Sequence, residues 1–385
     1  MKIGVIGAGR LGICFALLLE EAGYDVVVSD VRTGYVKSLQ ENKISTNEPL
    51  VADLLKDAKN LKATTSNQEV IEECDIIYTF VCTPSTSKGD YDVSAVWEVV
   101  RDIKHVAATS GKVKDKAFVV GCTTNPGDCT KFQEELIDVD VFYNPEFIAQ
   151  GSIVNDLRHA DMVLIGGHGY HADHIRRIYD DIQINAPKIH TMSTGAAELV
   201  KLAVNCYLTT KISFANMVGE VMALNGMEDE IKNVLGAIGA DSRVGSKYLG
   251  YGYGFGGPCL PRDNRAWAHA ASKVGLEHNL GQTTDNFNRE HLKFLANYFD
   301  KKNREKLPFL FAEGITYKEG TDIIEESQQM ALCKELMKKG HKVFIKDLPE
   351  VAEMVYTDWM YTWPGQFQFV YEGKHIPSEV FTVEF

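Results

Sequence analysis

The segment Phe255-Gly256-Gly257-Pro258-Cys259-Leu260-Pro261-Arg262-Asp263 holds the residue most suited to covalent chemistry. A thiolate is a strong nucleophile, and a loop rich in glycine and proline lets backbone come close to a ligand. Arg262 supplies positive charge that favours the thiolate, and Asp263 can order a water or act beside a base. The bland alternative is an inert loop thiol. Lys201 and Asn205 stand four residues apart in an apolar stretch, so a helix there places both on one face. Such a pair can steady an oxyanion and a water, although a solvated polar stripe has the same spacing.

A second set of residues suits a nucleotide. The strand-like Lys2–Ile6 runs directly into Gly7-Ala8-Gly9-Arg10-Leu11-Gly12 and then into helix-forming sequence. In that context the first glycine permits a tight turn. The second admits a pyrophosphate to the backbone, and the third allows close helix–strand packing. The helix N-terminus adds unpaired N–H groups for phosphate. The next strand ends at Asp30, whose carboxylate accepts from a ribose and repels a 2′-phosphate, favouring NAD over NADP. Arg32 nearby works against that preference. Thr83-Pro84 follows a strand at the edge where such sheets bind ligands, and a plain turn fits there too.

Positioning these groups requires a framework. Apolar runs at Lys2–Ile6, Asp25–Ser29, Asp75–Val81, Ala117–Val120, Asp140–Tyr143 and Met162–Ile165 alternate with helical stretches such as Arg10 to Ala22. That alternation predicts a parallel doubly wound sheet. Ala196–Leu224 lacks proline and has apolar residues at helical spacing, which predicts one long helix. Helices over Glu228–Ile238 and Asn264–Val274 are expected to flank a loop, Gly245–Arg262. A strand at Phe309–Ala312, a helix at Ser327–Lys339 and a strand at Lys342–Ile345 read as a second α/β unit. The expected fold is therefore α/β, with two Rossmann-like doubly wound domains joined by a long central helix and helical connector. The expected divisions are 1–193, 194–295 and 296–385.

Composition narrows the functions. A chain of 385 residues exceeds one ordinary core, and its formal charge of −13 argues against nucleic-acid binding. Eight cysteines lack CxxC spacing or a histidine pattern, which argues against a metal centre or disulfide scaffold and suits a reducing cytoplasm. The apolar start could mimic a secretory signal, but Gly7, Gly9, Arg10 and Gly12 interrupt it. No other run of about 18 apolar residues occurs, so no membrane span is expected.

The chain resembles the UDP-glucose/GDP-mannose dehydrogenase family through GAGRLG at 7–12, TP at 83–84, TTNPG at 123–127 and NPEF at 144–147. The likeness continues through ELVKLAVN at 198–205, FGGPCLPRD at 255–263 and GITYKEGTD…ES at 314–327. The resemblance implies an NAD-dependent four-electron oxidation of a sugar nucleotide, in which Cys259 forms a thiohemiacetal and then a thioester. It assigns Lys201 and Asn205 to the oxyanion, Asp263 to proton and water handling, and Thr123 and Glu146 to the hydrolytic water. Read without it, Thr123 is a strand-end hydroxyl and Glu146 a helix-start charge. It also places Thr123 and Arg262 beside the cofactor, and Glu146, Phe147, Gln150, Lys201, Asn205, Phe255 and Gly256 beside the sugar. The family assembles as dimers through the central helix, which makes a homodimer the expected state.

Three positions depart from the family pattern: Gln150 replaces a second glutamate, Arg262 a lysine, and Glu325 an arginine. For the diphosphate, Arg243, Lys247 and Lys318 are the candidate cations. Asp241-Ser242-Arg243-Val244-Gly245 resembles the RxG segment of the UDP-glucose branch, which makes UDP-glucose the expected substrate. GDP-mannose or a UDP-N-acetylhexosamine is the alternative. Two readings of other kinds remain open: a two-electron dehydrogenase of hydroxyacid type, and a binder of sugar nucleotides that has lost catalysis.

Overall fold

The computed structural model describes residues 1–148, 151–371 and 376–385. The chain divides into two compact units, Met1–Leu202 and Ala203–Phe385. The division falls within one 31-residue helix, Thr194–Leu224.

The first unit is built on eight strands: β1 (Lys2–Ile6), β2 (Asp25–Ser29), β3 (Leu61–Thr64), β4 (Ile76–Thr79), β5 (Lys116–Val120), β6 (Val139–Tyr143), β7 (Met162–Gly166) and β8 (Lys188–Met192). Their order is β3-β2-β1-β4-β5-β6-β7-β8. The first six are mutually parallel, the arrangement of a doubly wound dinucleotide-binding sheet. Alternation along each strand shows why both faces are covered. Ile3, Val5, Val26, Val28, Ala117 and Val119 join one apolar cluster, while Ile6, Val27, Phe118 and Val120 join the other. The helix Arg10–Glu21 packs into the first cluster and is buried from Gly12 to Leu19. The helix Ser94–Thr109 packs into the second.

Two differences from expectation concern this sheet. The sheet is not wholly parallel: β7 meets β6 antiparallel through the single pair Tyr143↔Gly166, and β8 runs parallel to β7. An added pair of this kind at the margin of a parallel sheet is common. The edge strands β3 and β8 also carry too few apolar residues to announce themselves, β8 having no buried residue.

The second unit holds a smaller sheet of β9 (Phe309–Phe311), β10 (Val343–Lys346), β11 (Phe367–Val370) and β12 (Phe381–Thr382), in the order β11-β10-β9-β12 and parallel throughout. Its core draws Leu295 and Phe299 from the helix Leu280–Lys302, Leu332 and Leu336 from Gln328–Lys338, and Val355 and Trp359 from Pro349–Thr362. Ser327 caps the Gln328–Lys338 helix, its hydroxyl accepting from Met330 N–H at 3.1 Å. The expected Glu228–Ile238 helix begins as a 3₁₀ turn, Glu228–Glu230, and becomes α-helical over Ile231–Ala240. The loop expected to reach Arg262 ends at Cys259, because proline is tolerated in a first helical turn and the helix Leu260–Lys273 starts there.

Candidate active site

The turn after β1 is tied to β2 by Gly7 and Ala8 N–H groups donating to Ser29 O at 2.9 and 3.2 Å. Gly7 has φ +92°, and a Cβ there would lie 2.9 Å from the Phe80 carbonyl. A Cβ on Gly12 would stand 2.1 Å from the Gly7 carbonyl oxygen, so the helix seats on the turn only through glycine. Gly9 is different. A Cβ on it would meet nothing within 4 Å, and no side chain caps the helix that Gly9 begins. The first-turn N–H groups therefore lie behind open space, with Arg10 exposed and Leu11 partly buried alongside. This is a cradle of the kind a pyrophosphate fills.

Asp30 follows β2 and is almost buried. Burial alone would raise its carboxyl, but Arg32 outweighs that and holds it below the ordinary carboxylate range. The Arg32 guanidinium donates to both carboxylate oxygens at 2.8 Å, and its backbone N–H donates at 3.0 Å. The same guanidinium lies 4.2 Å from the Tyr35 ring centroid. Thr83 is buried beyond the end of β4.

A second cluster of the first unit gathers Glu146, Phe147 and Lys201. The Lys201 ammonium donates to the Glu146 carbonyl at 2.7 Å and sits 4.8 Å from the Phe147 ring centroid. The Glu146 carboxyl turns inward and accepts from Tyr179. Burial raises it to about 7, against the opposing effects of the Tyr179 hydrogen bond and the Lys201 charge. A carboxyl that changes protonation near neutrality is suited to general base work. Thr123 lies partly buried in the loop after β5. Glu198, fully buried on the central helix, fixes that loop by accepting from Thr124 Oγ1 at 2.8 Å, Gly127 N at 2.6 Å and Cys129 N at 2.9 Å. Three donors satisfy a carboxylate that burial alone would leave costly. Gln150 lies outside the described residues.

The second unit carries Cys259, Asp263 and Asn205. Cys259 is exposed and is the N-cap of the helix Leu260–Lys273, where helix N–H groups favour an anion. Asp263, one turn on, donates its N–H to Cys259 O at 2.9 Å and accepts at its carboxylate from the Asn205 amide. Both side chains are buried. Arg262 lies in the same first turn and is partly buried.

The approach to Cys259 is held by side chains far away in sequence. Asn288 accepts from Phe255 N and donates to Phe255 O, both at 2.9 Å, so Phe255 is buried with its backbone paired. Asn216 accepts from Gly252 N at 3.0 Å and donates to Tyr253 O at 3.2 Å. Gly256 would place a Cβ 2.5 Å from Glu326 O. Arg243 is exposed and forked onto Asp241, with Nη2 at 2.7 Å. Lys247 and Lys318 are also exposed.

Residues therefore gather in three groups: the glycine turn with Asp30, Glu146 with Phe147 and Lys201, and Cys259 with Asp263 and Asn205. Sequence reasoning did not single out Tyr179, Glu198, Asn216 or Asn288. Glu198 alone offered a signal, as an acidic residue in an otherwise apolar helix start three positions before Lys201.

A doubly wound sheet with this glycine turn and Asp30 at the second strand defines an NAD-binding oxidoreductase. Comparison with known proteins narrows the class. Residues 1–183 match the UDP-glucose/GDP-mannose dehydrogenase family, NAD binding domain, and residues 195–290 match the central domain of the same family. The UDP-glucose 6-dehydrogenase AglM of Haloferax volcanii is 30% identical over 363 residues, covering 89% of this chain and 82% of the relative. The GDP-mannose 6-dehydrogenase of Pseudomonas aeruginosa is 27% identical over 364 residues, covering 90% and 81%. A UDP-glucose dehydrogenase structure from Pyrobaculum islandicum superposes with a TM-score of 0.83 at 27% identity, covering 96% of this chain and 86% of that one. The chain belongs to the UDP-glucose/GDP-mannose dehydrogenase family. Among the described residues no helix is long and apolar enough to cross a membrane.

Proposed function

We propose that the protein oxidises the C6 alcohol of UDP-glucose to the carboxylate of UDP-glucuronate, with Cys259 as covalent nucleophile. The observation that carries this reading is an exposed thiol at a helix N-terminus, one turn from the buried Asp263–Asn205 pair. The choice of UDP-glucose is supported by the Arg243–Gly245 segment and by the names of the relatives. GDP-mannose or a UDP-N-acetylhexosamine is the alternative substrate.

NAD would rest on Gly7, Gly9, Arg10, Leu11 and Gly12, with Asp30 at the ribose and Thr83, Thr123 and Arg262 alongside. When bound it supplies a hydride acceptor for each of the two oxidations. The alcohol proton passes toward Asp263, through a water it would order, as the first hydride leaves C6 for the acceptor, and the alcohol becomes an aldehyde. The Cys259 sulfur then adds to the aldehyde carbon, and Lys201 and Asn205 steady the resulting oxyanion, a contact that typically contributes about 3–4 kcal/mol. Loss of the second hydride leaves a thioester. Thr123 holds a water and Glu146 takes its proton, so that the C–S bond breaks to give carboxylate and free thiol. Phe147, Gln150, Phe255 and Gly256 line the sugar, and Arg243, Lys247 and Lys318 offset the diphosphate charge.

In this reading 1–193 binds NAD, 296–385 the nucleotide, and 194–295 joins two copies as a homodimer. The dimer is supported by an exposed stripe on the central helix: Tyr207, Phe214, Met217, Val221 and Leu224 recur at helical spacing. A cytoplasmic setting suits the cysteine pattern. The test is to follow absorbance with NAD and each nucleotide sugar in turn. Two reduced cofactors per UDP-glucose support the proposal; one indicates a simple alcohol dehydrogenase, and none a binder.

A further inference from the structure

Behind Glu146 lies a buried chain of hydrogen bonds that the reaction scheme does not use. Asn144 Nδ2 donates to Leu164 O at 2.9 Å, and a carbonyl can only accept. That contact fixes the amide, so Asn144 Oδ1 must face Tyr179 Oη, 2.8 Å away, as an acceptor. The other neighbour of the same hydroxyl is the Glu146 carboxyl. Asn144 and Tyr179 are each 1% exposed. A phenol has one proton, yet two acceptors claim it whenever Glu146 is ionised.

We propose that Tyr179 is the positioning residue that sets the proton state of Glu146, its single hydroxyl proton being contested by the Glu146 carboxylate and the Asn144 amide oxygen. This rests on the reading of Glu146 as the base for the hydrolytic water. With Glu146 protonated, the chain is complete: Glu146 donates to Tyr179, Tyr179 to Asn144 Oδ1, and Asn144 to Leu164 O. With Glu146 ionised, the phenolic proton turns to the carboxylate, and Asn144 Oδ1 loses its donor. A proton taken from water by Glu146 is thus matched by one rotation of a hydroxyl, with no charge moved through the protein interior. The donor stabilises the carboxylate, and the competing acceptor weakens that stabilisation, so the carboxyl is held where it can cycle near neutrality. The other titratable or charged groups facing it are Lys201 on the central helix and Tyr78 on β4. Lys201 favours the ionised form, whereas buried Tyr78 offers a neutral hydroxyl.

Infrared difference spectroscopy of the full chain over pH reads the Glu146 acid carbonyl directly, assigned as the band lost in Glu146→Gln. In Tyr179→Phe, which keeps the ring, its midpoint should rise by roughly one pH unit. In Asn144→Ala, which removes the competitor, it should fall. Thermal melts identify a variant that has not folded, and either substitution alone can decide the matter. A midpoint that stays put or moves down in Tyr179→Phe, or stays put or moves up in Asn144→Ala, overturns the proposal. The pH profile of turnover provides the second arm, its acid limb being expected to move with the midpoint. Midpoints that move as stated while the limb stays fixed uphold the Tyr179 role and reject Glu146 as the base, so the two failures are distinct.

Discussion

The glycine turn of the first unit and the cysteine loop of the second both bring backbone close to where a ligand would sit, but they are held in different ways. The turn is a local object. Gly7, Gly9 and Gly12 shape it within six residues, with Ser29 O accepting from the Gly7 and Ala8 N–H groups and the Phe80 backbone packed against Gly7. The loop before Cys259 is held from outside by Asn216 on the central helix and Asn288 on the helix Leu280–Lys302. A glycine turn can thus be specified by a short motif, whereas the presentation of the exposed Cys259 thiol depends on amides distant in sequence.

The sharpest break of that comparison is Gly12→Ala. Its methyl would meet the Gly7 carbonyl at a 2.1 Å separation, so overpacking should cost about 1–3 kcal/mol, read by denaturant unfolding. Weakened NAD binding by calorimetry should accompany it. Asn288→Ala attacks the other side. It strips Phe255 of both backbone partners, and turnover should fall while NAD affinity stays near wild type, with a stability loss of about 1–3 kcal/mol. If NAD affinity fell equally, the supposed separation of the two supports would be wrong.

Asp30→Ala should have a smaller and more selective effect. Removing the carboxylate releases the Arg32 guanidinium from its fork and removes the repulsion of a 2′-phosphate. The preference for NAD over NADP should shrink about tenfold, roughly 1.4 kcal/mol, measured as a ratio of kcat/KM values. No change would mean that the ribose is read elsewhere. Glu146 adds a pH signature of its own. Its carboxyl is raised in the folded protein from 4.5 to about 7, so the associated stability is fully present below 4.5 and declines as pH rises through 7. Glu146→Gln should remove that part of the decline in unfolding free energy over the same window.

The same contrast explains what could be read in advance. Strands β1, β2, β4, β5 and β6 were legible because each holds a run of apolar residues buried on both faces. The central helix was legible from its spacing. β3 and β8 were not, since edge strands need little apolar sequence, and the reversal of β7 leaves no mark in composition. At the site, Gly7, Gly12 and Asp30 declared themselves by local spacing. Tyr179 and Asn288 did not, because a tyrosine or asparagine within a helix takes its meaning from what the fold sets beside it. The start of the helix at Leu260 was missed for a local reason: the Gly/Pro-rich composition reads as loop, although proline suits a first turn.

If Cys259 carries the reaction, its sulfur becomes covalently bonded to the sugar during turnover. The direct measurement is mass spectrometry of the Cys259 peptide after acid quench of Glu146→Gln enzyme cycling with UDP-glucose and NAD, a variant in which thioester hydrolysis should be slow. A glucuronyl thioester adduct is expected on that peptide, absent when NAD is withheld and absent in Cys259→Ser. An unmodified peptide, together with undiminished carboxylate production by Cys259→Ser, would contradict it.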